Sequence, residues 1–312
     1  MLYFVSLSCL LIIINLVSIT LTIFSIMHNL FEDIRDSLVF NKFRIDDLIC
    51  VEYSCPVEEE QVGIYTQSDY LIHVLSGKKS WKTIEGEWTV SAGETLYVKK
   101  GAAIVTQDFD EDFCMLGFFL PDDIIRESLN ESIKSLTVAR QIDVHPFTAT
   151  KLLSKDYLES FFYSMFPYFN ERKNPPETIL KLKLKELLIN LLYHSDNDLL
   201  SSYLKSVTLN SEPSLTHIME TNFSFNLKLE EFAKMSHRSL SKFKRDFFNH
   251  YNTTPGKWLL SKRLAYAANL ILQNTSNITQ IGFESGFEDV SHFSRKFKEK
   301  FGVSPSAYSN KS

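Results

Sequence analysis

Several kinds of chemistry are missing from this 312-residue chain. Its cysteines (Cys9, Cys50, Cys55, Cys114) form no CxxC pair and have no companion histidines at ligand spacing, which argues against a zinc site or a disulfide framework. No Walker loop, no Gly-x-Ser-x-Gly and no His-Glu-x-x-His occurs, so nothing supports phosphoryl transfer, a serine hydrolase or a zinc protease. There is no His-x-His pair either: His73 stands alone between Ile72 and Val74, and His28 is the one other histidine from Met27 up to His145. A lone histidine on a strand is ordinarily packed or hydrogen-bonded, so a metal site is rejected and no cofactor is expected. Net positive charge is missing too: the formal total is −5.

Charge of either sign is absent from Met1 to Ile26, where the run Leu10-Leu11-Ile12-Ile13-Ile14 continues through Ile19 and Leu21. At about 1.5 Å per residue that stretch is long enough to span a bilayer. Arg35, Lys42 and Arg44 follow it and no Lys or Arg precedes it, so a spanning segment would leave the remainder in the cytoplasm. A signal peptide fits less well, for want of a basic start and a small-residue cleavage site. Two readings stay open: a transmembrane anchor, or a mis-assigned start with translation beginning at Met27.

What is present divides the chain. From about 45 to 120, short β-branched and aromatic runs alternate with turn signals: Leu71–Leu75, Ser76-Gly77-Lys78-Lys79, Ser80–Ile84, Glu85-Gly86, Glu87–Val90, Ser91-Ala92-Gly93-Glu94, Thr95–Val98, Lys99-Lys100-Gly101 and a run to Gln107. Even spacing of short strands implies a small antiparallel barrel or jelly roll. After Pro121-Asp122-Asp123 the period becomes helical. Tyr157–Phe169 is rich in aromatics, and Glu177–His194 carries leucine and isoleucine with lysines between, bounded by Pro175-Pro176 and Ser195-Asp196-Asn197-Asp198. This second helix either contributes a dimer contact or merely covers the barrel. Thr208–Pro213 is polar and reads as a linker.

The last hundred residues carry one pattern twice. Leu240-Ser241-Lys242-Phe243-Lys244-Arg245-Asp246-Phe247 runs on to Tyr251-Asn252-Thr253-Thr254-Pro255, and Val290-Ser291-His292-Phe293-Ser294-Arg295-Lys296-Phe297 runs on to Phe301-Gly302-Val303-Ser304-Pro305. The i, i+3, i+7 stripes Leu240, Phe243, Phe247 and Val290, Phe293, Phe297 define a buried face, with serines and cations opposite. A shorter amphipathic segment precedes each copy, Leu229–Met235 and Ile278–Ser285. Helix, tight turn and basic helix is the pattern of a helix-turn-helix, and two such units suit successive major-groove segments about 34 Å apart. Pro255 opens a connecting helix through Leu272, with Trp258, Leu259, Leu264, Ala265, Ala268 and Ile271 expected on its packed side. The charge resolves along the same division: residues 213–312 hold 14 Lys/Arg against 8 Asp/Glu, roughly +6, which leaves about −11 for the rest.

From Ile278 through Lys298 and on to Gly302-Val303-Ser304-Pro305-Ser306-Ala307-Tyr308, the second copy resembles the signature of AraC/XylS-type transcription regulators nearly throughout. The resemblance is strong over roughly the last hundred residues. Two departures stand out: Gly282 where the family usually has alanine, at a cost of about 1 kcal/mol in helix propensity, and Asn252 in place of the glycine ending the first recognition helix, a mild change because asparagine tolerates the left-handed conformation. The strand region more loosely resembles the cupin-like sensory domain common in that family.

The fold class expected is therefore α+β: residues 27–130 a cupin-like antiparallel β-barrel, 131–207 a helical region, 208–213 the linker, and 214–312 an all-α domain of two helix-turn-helix motifs joined by a long helix. Mapped through the phenylalanine anchors, the family's base-reading positions fall on Ser241, Lys244 and Arg245 and on Ser291, His292 and Arg295. Arginine can bond guanine O6 and N7 in bidentate fashion, which makes Arg245 and Arg295 the firmest choices. Arg238, Lys242, Lys257 and Lys298 are phosphate candidates. The resemblance implies promoter DNA and RNA polymerase as partners, a possible homodimer, and a small molecule or protein acting at the N-terminal domain. Trp81, Trp88 and Tyr97 are candidates to line an effector site there, or to be core.

Overall fold

The computed structural model describes residues 27–309, apart from 46–47, 55–60, 108–111, 136–146, 154–155, 172–173, 195–197, 210–211 and 275. The apolar segment 1–26 lies outside the described residues; within them no helix is long and apolar enough to cross a membrane.

Eleven described strands form two sheets that pack face to face. One has the order β1 (Met27–Asn29), β4 (Gln61–Thr66), β9 (Gly101–Gln107), β6 (Lys78–Lys82), β7 (Glu87–Ser91). The other runs β11 (Ala149–Leu152), β8 (Thr95–Val98), β5 (Asp69–Ser76), β10 (Cys114–Leu120), β3 (Leu48–Ser54), β2 (Asn41–Ile45). Of the barrel and jelly-roll forms expected, the chain takes the two-sheet one: the barrel is not closed, since neither sheet's edge strand hydrogen-bonds to the other sheet among the described residues. The chain changes sheet between β5 and β6 at Gly77, whose φ of +70° and 2.9 Å approach of a would-be Cβ to the Asp112 carbonyl leave no place for a side chain. One pairing is not antiparallel: β1, which the short helix α1 (Leu30–Asp36) follows, lies parallel to β4.

The central strands of the six-stranded sheet, β5, β8 and β10, are covered on both faces and alternate between two cores, whereas β6 and β7 of the other sheet alternate between core and water. Ile49, Val51, Ile72, Val74, Trp81, Leu96 and Phe119 fill the space between the sheets. On the outer face of the six-stranded sheet, Leu71, Tyr97, Leu116 and Phe118 meet α2 (Asp122–Ser135), α3 (Asp156–Glu171), α4 (Glu177–His194) and α5 (Asp198–Leu209). Helix α4 buries Leu180, Leu184, Leu187, Leu188 and Leu191, and of its leucines Leu182 stands out at 58 % exposure. Helix α5 runs through Leu209, so the linker shortens to the residues between it and Ser214.

His73 is packed, as its surroundings in sequence suggested: its ring lies 4.0 Å from that of Phe162 at 8°, and Nδ1 shares a 3.0 Å hydrogen bond with the Thr95 hydroxyl. Burial pushes its pKa down to about 4. Tyr97 is core on the helical side, its hydroxyl donating to Asp69, while Trp81 lines a cavity of about 480 Å³ between the sheets with Tyr53, Tyr70, Lys79 and Gln107.

The C-terminal region comprises α6 (Leu215–Asn222), α7 (Leu229–Met235), α8 (Leu240–Tyr251), α9 (Pro255–Gln273), α10 (Ile278–Glu284), α11 (Val290–Phe301) and α12 (Pro305–Ser309). It rests on the outer face of the five-stranded sheet, where Tyr65 and Ala102 join Met219, Phe232 and Phe247 in one core.

Candidate nucleic-acid interface

Each expected helix-turn-helix forms. In the first, α7 ends at Ser236 and His237, where the His237 N–H bonds the Lys234 carbonyl at 2.9 Å and the Arg238 N–H bonds the Ala233 carbonyl at 2.9 Å. In the second, the Gly286 N–H bonds the Phe283 carbonyl at 2.8 Å and the Phe287 N–H bonds the Gly282 carbonyl at 3.1 Å. The doubled bonds and the left-handed turn residue are the helix-ending motif that glycine usually supplies. Gly286 takes it at φ +83°, with a would-be Cβ only 2.8 Å from the Ser224 carbonyl oxygen; His237 takes it at +53°. Ser236 and Ser285, at matching places, are both fully buried.

The recognition helices start and stop by capping. Ser239 accepts from the Lys242 N–H at 3.3 Å, and Asp289 accepts from Ser291 and His292, each at 2.9 Å. Those two bonds hold the Asp289 carboxyl below its usual range. Asn252 (φ +51°) and Gly302 (φ +77°) close the other ends in the left-handed conformation, so asparagine does the work expected of it.

Phe243, Phe247, Phe293 and Phe297 are wholly buried, which fixes the opposite faces outward. Ser241, Lys244 and Arg245 are exposed, Arg245 with 69 % of its side chain free. Ser291, His292, Arg295 and Lys298 are exposed as well, and so is Lys257 at the start of α9. With Phe243 and Phe247 superposed on Phe293 and Phe297, the partner of Lys244 is Ser294 and that of Lys242 is His292. Ser294, half-buried, is the position that sequence mapping passed over.

Arg238 and Lys242 are engaged within the protein. Arg238, 11 % exposed, donates to the Pro213 carbonyl at 3.0 Å and pairs with Glu212 at 2.9 Å and Asp246 at 3.2 Å; Lys242 bonds Glu212 at 3.0 Å and Asp246 at 2.7 Å. Both were expected at phosphates; the linker's Glu212 and the recognition helix's Asp246 instead fold them against the start of α8.

Connector α9 packs through Leu259, Leu264, Ala267, Ala268 and Ile271. Ala265, expected on that face, is exposed, and Ala267 occupies the core instead. A residue without any local signal does much of the joining: Arg263 donates to the carbonyls of Phe223 and Phe225, both at 2.7 Å, and burial pulls its pKa down to about 10. Those carbonyls belong to the loop before α7, so the guanidinium ties the connector to the first unit; its Nε would lie only 2.9 Å from a Cβ at Gly286, which leaves no side chain room there.

The first unit is also fastened to the sandwich. Asn222, 2 % exposed, accepts from the Ala102 N–H at 2.7 Å; a Cβ on Gly101 would sit 2.8 Å from that same amide oxygen. Lys99 donates to His217 Nε2 at 2.7 Å, and His237 reaches to 3.8 Å from Asp122, which a buried ion pair joins to Lys100. Burial, and then the charges of Lys99 and Lys100, lower the His217 pKa to about 3; burial lowers that of Lys99 to about 8.

Residues 69–203 match the family described as the ExsA N-terminal regulatory domain, and residues 232–311 match a helix-turn-helix domain family. The virulence regulon transcriptional activator VirF of Yersinia enterocolitica is 26% identical over 269 residues, covering 83% of this chain and 94% of VirF. The regulator ExsA of Pseudomonas aeruginosa is 26% identical over 263 residues, covering 82% and 87%. A solved structure of an apo ToxT variant from Vibrio cholerae covers 86% of this chain and 98% of its own, at 13% identity and a TM-score of 0.42.

Proposed function

Because the chain belongs to the AraC/XylS family of transcription regulators, we propose that it activates transcription by binding promoter DNA through both recognition helices under control of the β-sandwich. One observation carries this reading: two capped helices, each anchored by a buried phenylalanine pair, present an exposed arginine at the same register, Arg245 and Arg295. Ser241 and Lys244 accompany the first, and Ser291, Ser294 and His292 the second. Lys257 and Lys298 face solvent free to meet phosphate, whereas Arg238 acts by holding the linker to α8. A connector that packs against both units, and that Arg263 ties to the first, fixes the spacing of the two half-sites.

RNA polymerase is the partner that activation requires, and the cytoplasm is where promoter DNA lies. No catalytic role is assigned. Exposed Tyr163 and Leu182 on α3 and α4 support a homodimer contact in the helical layer. The cavity between the sheets offers room for a small effector, and thermal stabilisation by candidate metabolites separates that from control by a partner protein.

The test is a footprint of residues 27–312 on DNA upstream of its own and neighbouring genes, with Arg245→Ala and Arg295→Ala compared across a salt series. Protection of two adjacent major-groove segments is expected, each losing base preference with its own arginine, at about 1–3 kcal/mol per bidentate contact. Diffuse, salt-labile protection indifferent to both substitutions would leave a non-specific, architectural binder in its place.

A further inference from the structure

The first recognition helix carries a fourth outward residue unlike its companions. Ser241, Lys244, Arg245 and Phe248 stand at i, i+3, i+4 and i+7, the spacing by which a homeodomain helix lying along the major groove presents four side chains to base edges. Phe248 is 50 % exposed, and it is not needed for the core, which Phe243 and Phe247 fill at 0 % exposure. The ring of Phe247 stacks on Tyr251 at 4.5 Å and meets Trp258 at 5.8 Å; among the described residues the ring of Phe248 is paired with no other aromatic ring.

A single exposed apolar side chain is ordinary on a protein surface. The place is what matters here. Among the described residues of the C-terminal domain, Phe248 and Leu272 are the large apolar side chains that stand exposed, and Leu272 is at the far end of the connector. Phe248 sits on the one helical face that carries Lys244 and Arg245. In the second unit the same register holds Lys298, a cation. A major-groove floor offers one apolar group, the C5 methyl of thymine, and phenylalanine is among the side chains that pack against it.

We propose that Phe248 is a further specificity-determining residue, its ring packing on a thymine methyl in the half-site read by the first unit. The second unit, with Lys298 in that register, makes no such demand. This rests on the DNA-reading assignment above.

The experiment uses full-length protein and duplexes that it selects from a random-sequence pool. Thymines of the selected site are replaced one at a time by uracil, which keeps every hydrogen-bonding group and lacks only the methyl. Affinity of the unsubstituted protein is expected to fall about fourfold at one or two thymines of one half-site, which is about 0.8 kcal/mol per methyl buried. Phe248→Ala is expected to bind more weakly and to be indifferent to uracil at those positions, while Phe248→Leu keeps part of the sensitivity. Uracil substitutions in the other half-site leave the two proteins equally affected.

Retention of the full uracil penalty by Phe248→Ala overturns the proposal, as does a site without any uracil penalty. A change in oligomeric state with an unaltered uracil profile overturns it in favour of a contact between copies. If the pool yields a preferred site whose recognition depends on Arg245, only the role of Phe248 has failed; if it yields none, the DNA-reading assignment falls with it.

Discussion

The two helix-turn-helix units share a sequence pattern and differ in their surroundings. The first builds its core jointly with the sandwich: Tyr65 and Ala102 belong to the cluster that holds Phe232, Phe243 and Phe247. The second closes its core with the connector and its own helices alone, through Leu264, Ala268, Ile281, Phe293 and Phe297. The first places a histidine in its left-handed turn and turns that ring towards Asp122; the second uses glycine, which reaches nothing in the sandwich. Duplicated motifs thus do unequal work. Whatever changes the sandwich acts first on the unit docked to it, and the other unit follows through α9 and through the 2.7 Å hydrogen bond from Asn226 to Glu288.

The largest effects come from truncating the two cores. Phe247→Ala and Phe297→Ala each remove a fully buried ring, at about 3–5 kcal/mol. Hydrogen exchange should tell them apart: Phe247→Ala exposes amides of β4 and β9 as well as α8, whereas Phe297→Ala loosens residues 290–301 and leaves the sheet protected. Equal effects of both substitutions on β9 would abolish the distinction between the units.

Next is the seam itself. Asn222→Ala leaves the buried Ala102 N–H without its 2.7 Å acceptor, a loss of about 1–3 kcal/mol. Faster exchange at β9 and α6, with α11 untouched, is the expected pattern; Asn222→Asp restores an acceptor and recovers part of the protection.

Acid should attack the same seam with a smaller, graded effect. His217 has a folded pKa of about 3 against an ordinary 6.5, so the undocked state takes up the proton first as pH falls. The stabilisation is complete above about pH 6.5 and declines towards pH 3, by up to about 1.4 kcal/mol per pH unit. His237, lowered chiefly by burial and faced by Lys100 and Asp122, has the same sign. Lys99, lowered to about 8, acts in another window: its penalty is constant below pH 8 and is relieved between 8 and 10.5. Moving from pH 7 to 5.5 should therefore lower the protection of amides, relative to their intrinsic exchange at each pH, across residues 215–222 more than across residues 290–301, and His217→Gln should flatten that difference. A seam as stable at pH 5.5 as at 7 would show that His217 is not held neutral by docking.

The repeat was legible because its signal is local. Phenylalanine at i and i+4 on one helical face, a serine or aspartate cap before it and a left-handed residue after it are all written within 15 residues, and Asn252 could be placed in advance for that reason. The seam was illegible because every contact in it is distant in sequence, Asn222 to Ala102 and Lys99 to His217, and the Arg263 bond to Phe223 within the C-terminal region is hidden for the same reason. Arg238 and Lys242 looked like free cations until folding brought Glu212 beside them. The open sandwich has the same cause, since short alternating strands announce a sheet but leave open which edges meet; the parallel β1 and β4 have nothing local to mark them. On α4 the leucine pattern did not decide between covering and dimerising, as leucines spread around the helix among lysines are compatible with both.

The smallest expected effect tests how alike the two cores are. Aligned by their turns, α7 and α10 place Ala233 opposite Gly282, each buried behind its recognition helix. Ala233→Gly should cost about 1 kcal/mol of helix propensity without compensation. Gly282→Ala gains a similar amount, but the new Cβ would stand 3.1 Å from Cδ1 of Phe293, a ring with no exposure and little room to retreat. The two terms oppose each other, so the variant should unfold within about 0.5 kcal/mol of the parent, read from exchange of the residues 290–301 amides. A full gain of about 1 kcal/mol would mean that Phe293 yields freely. The second unit's core would then be softer than the first's, and the asymmetry between the units would extend from their docking into their packing.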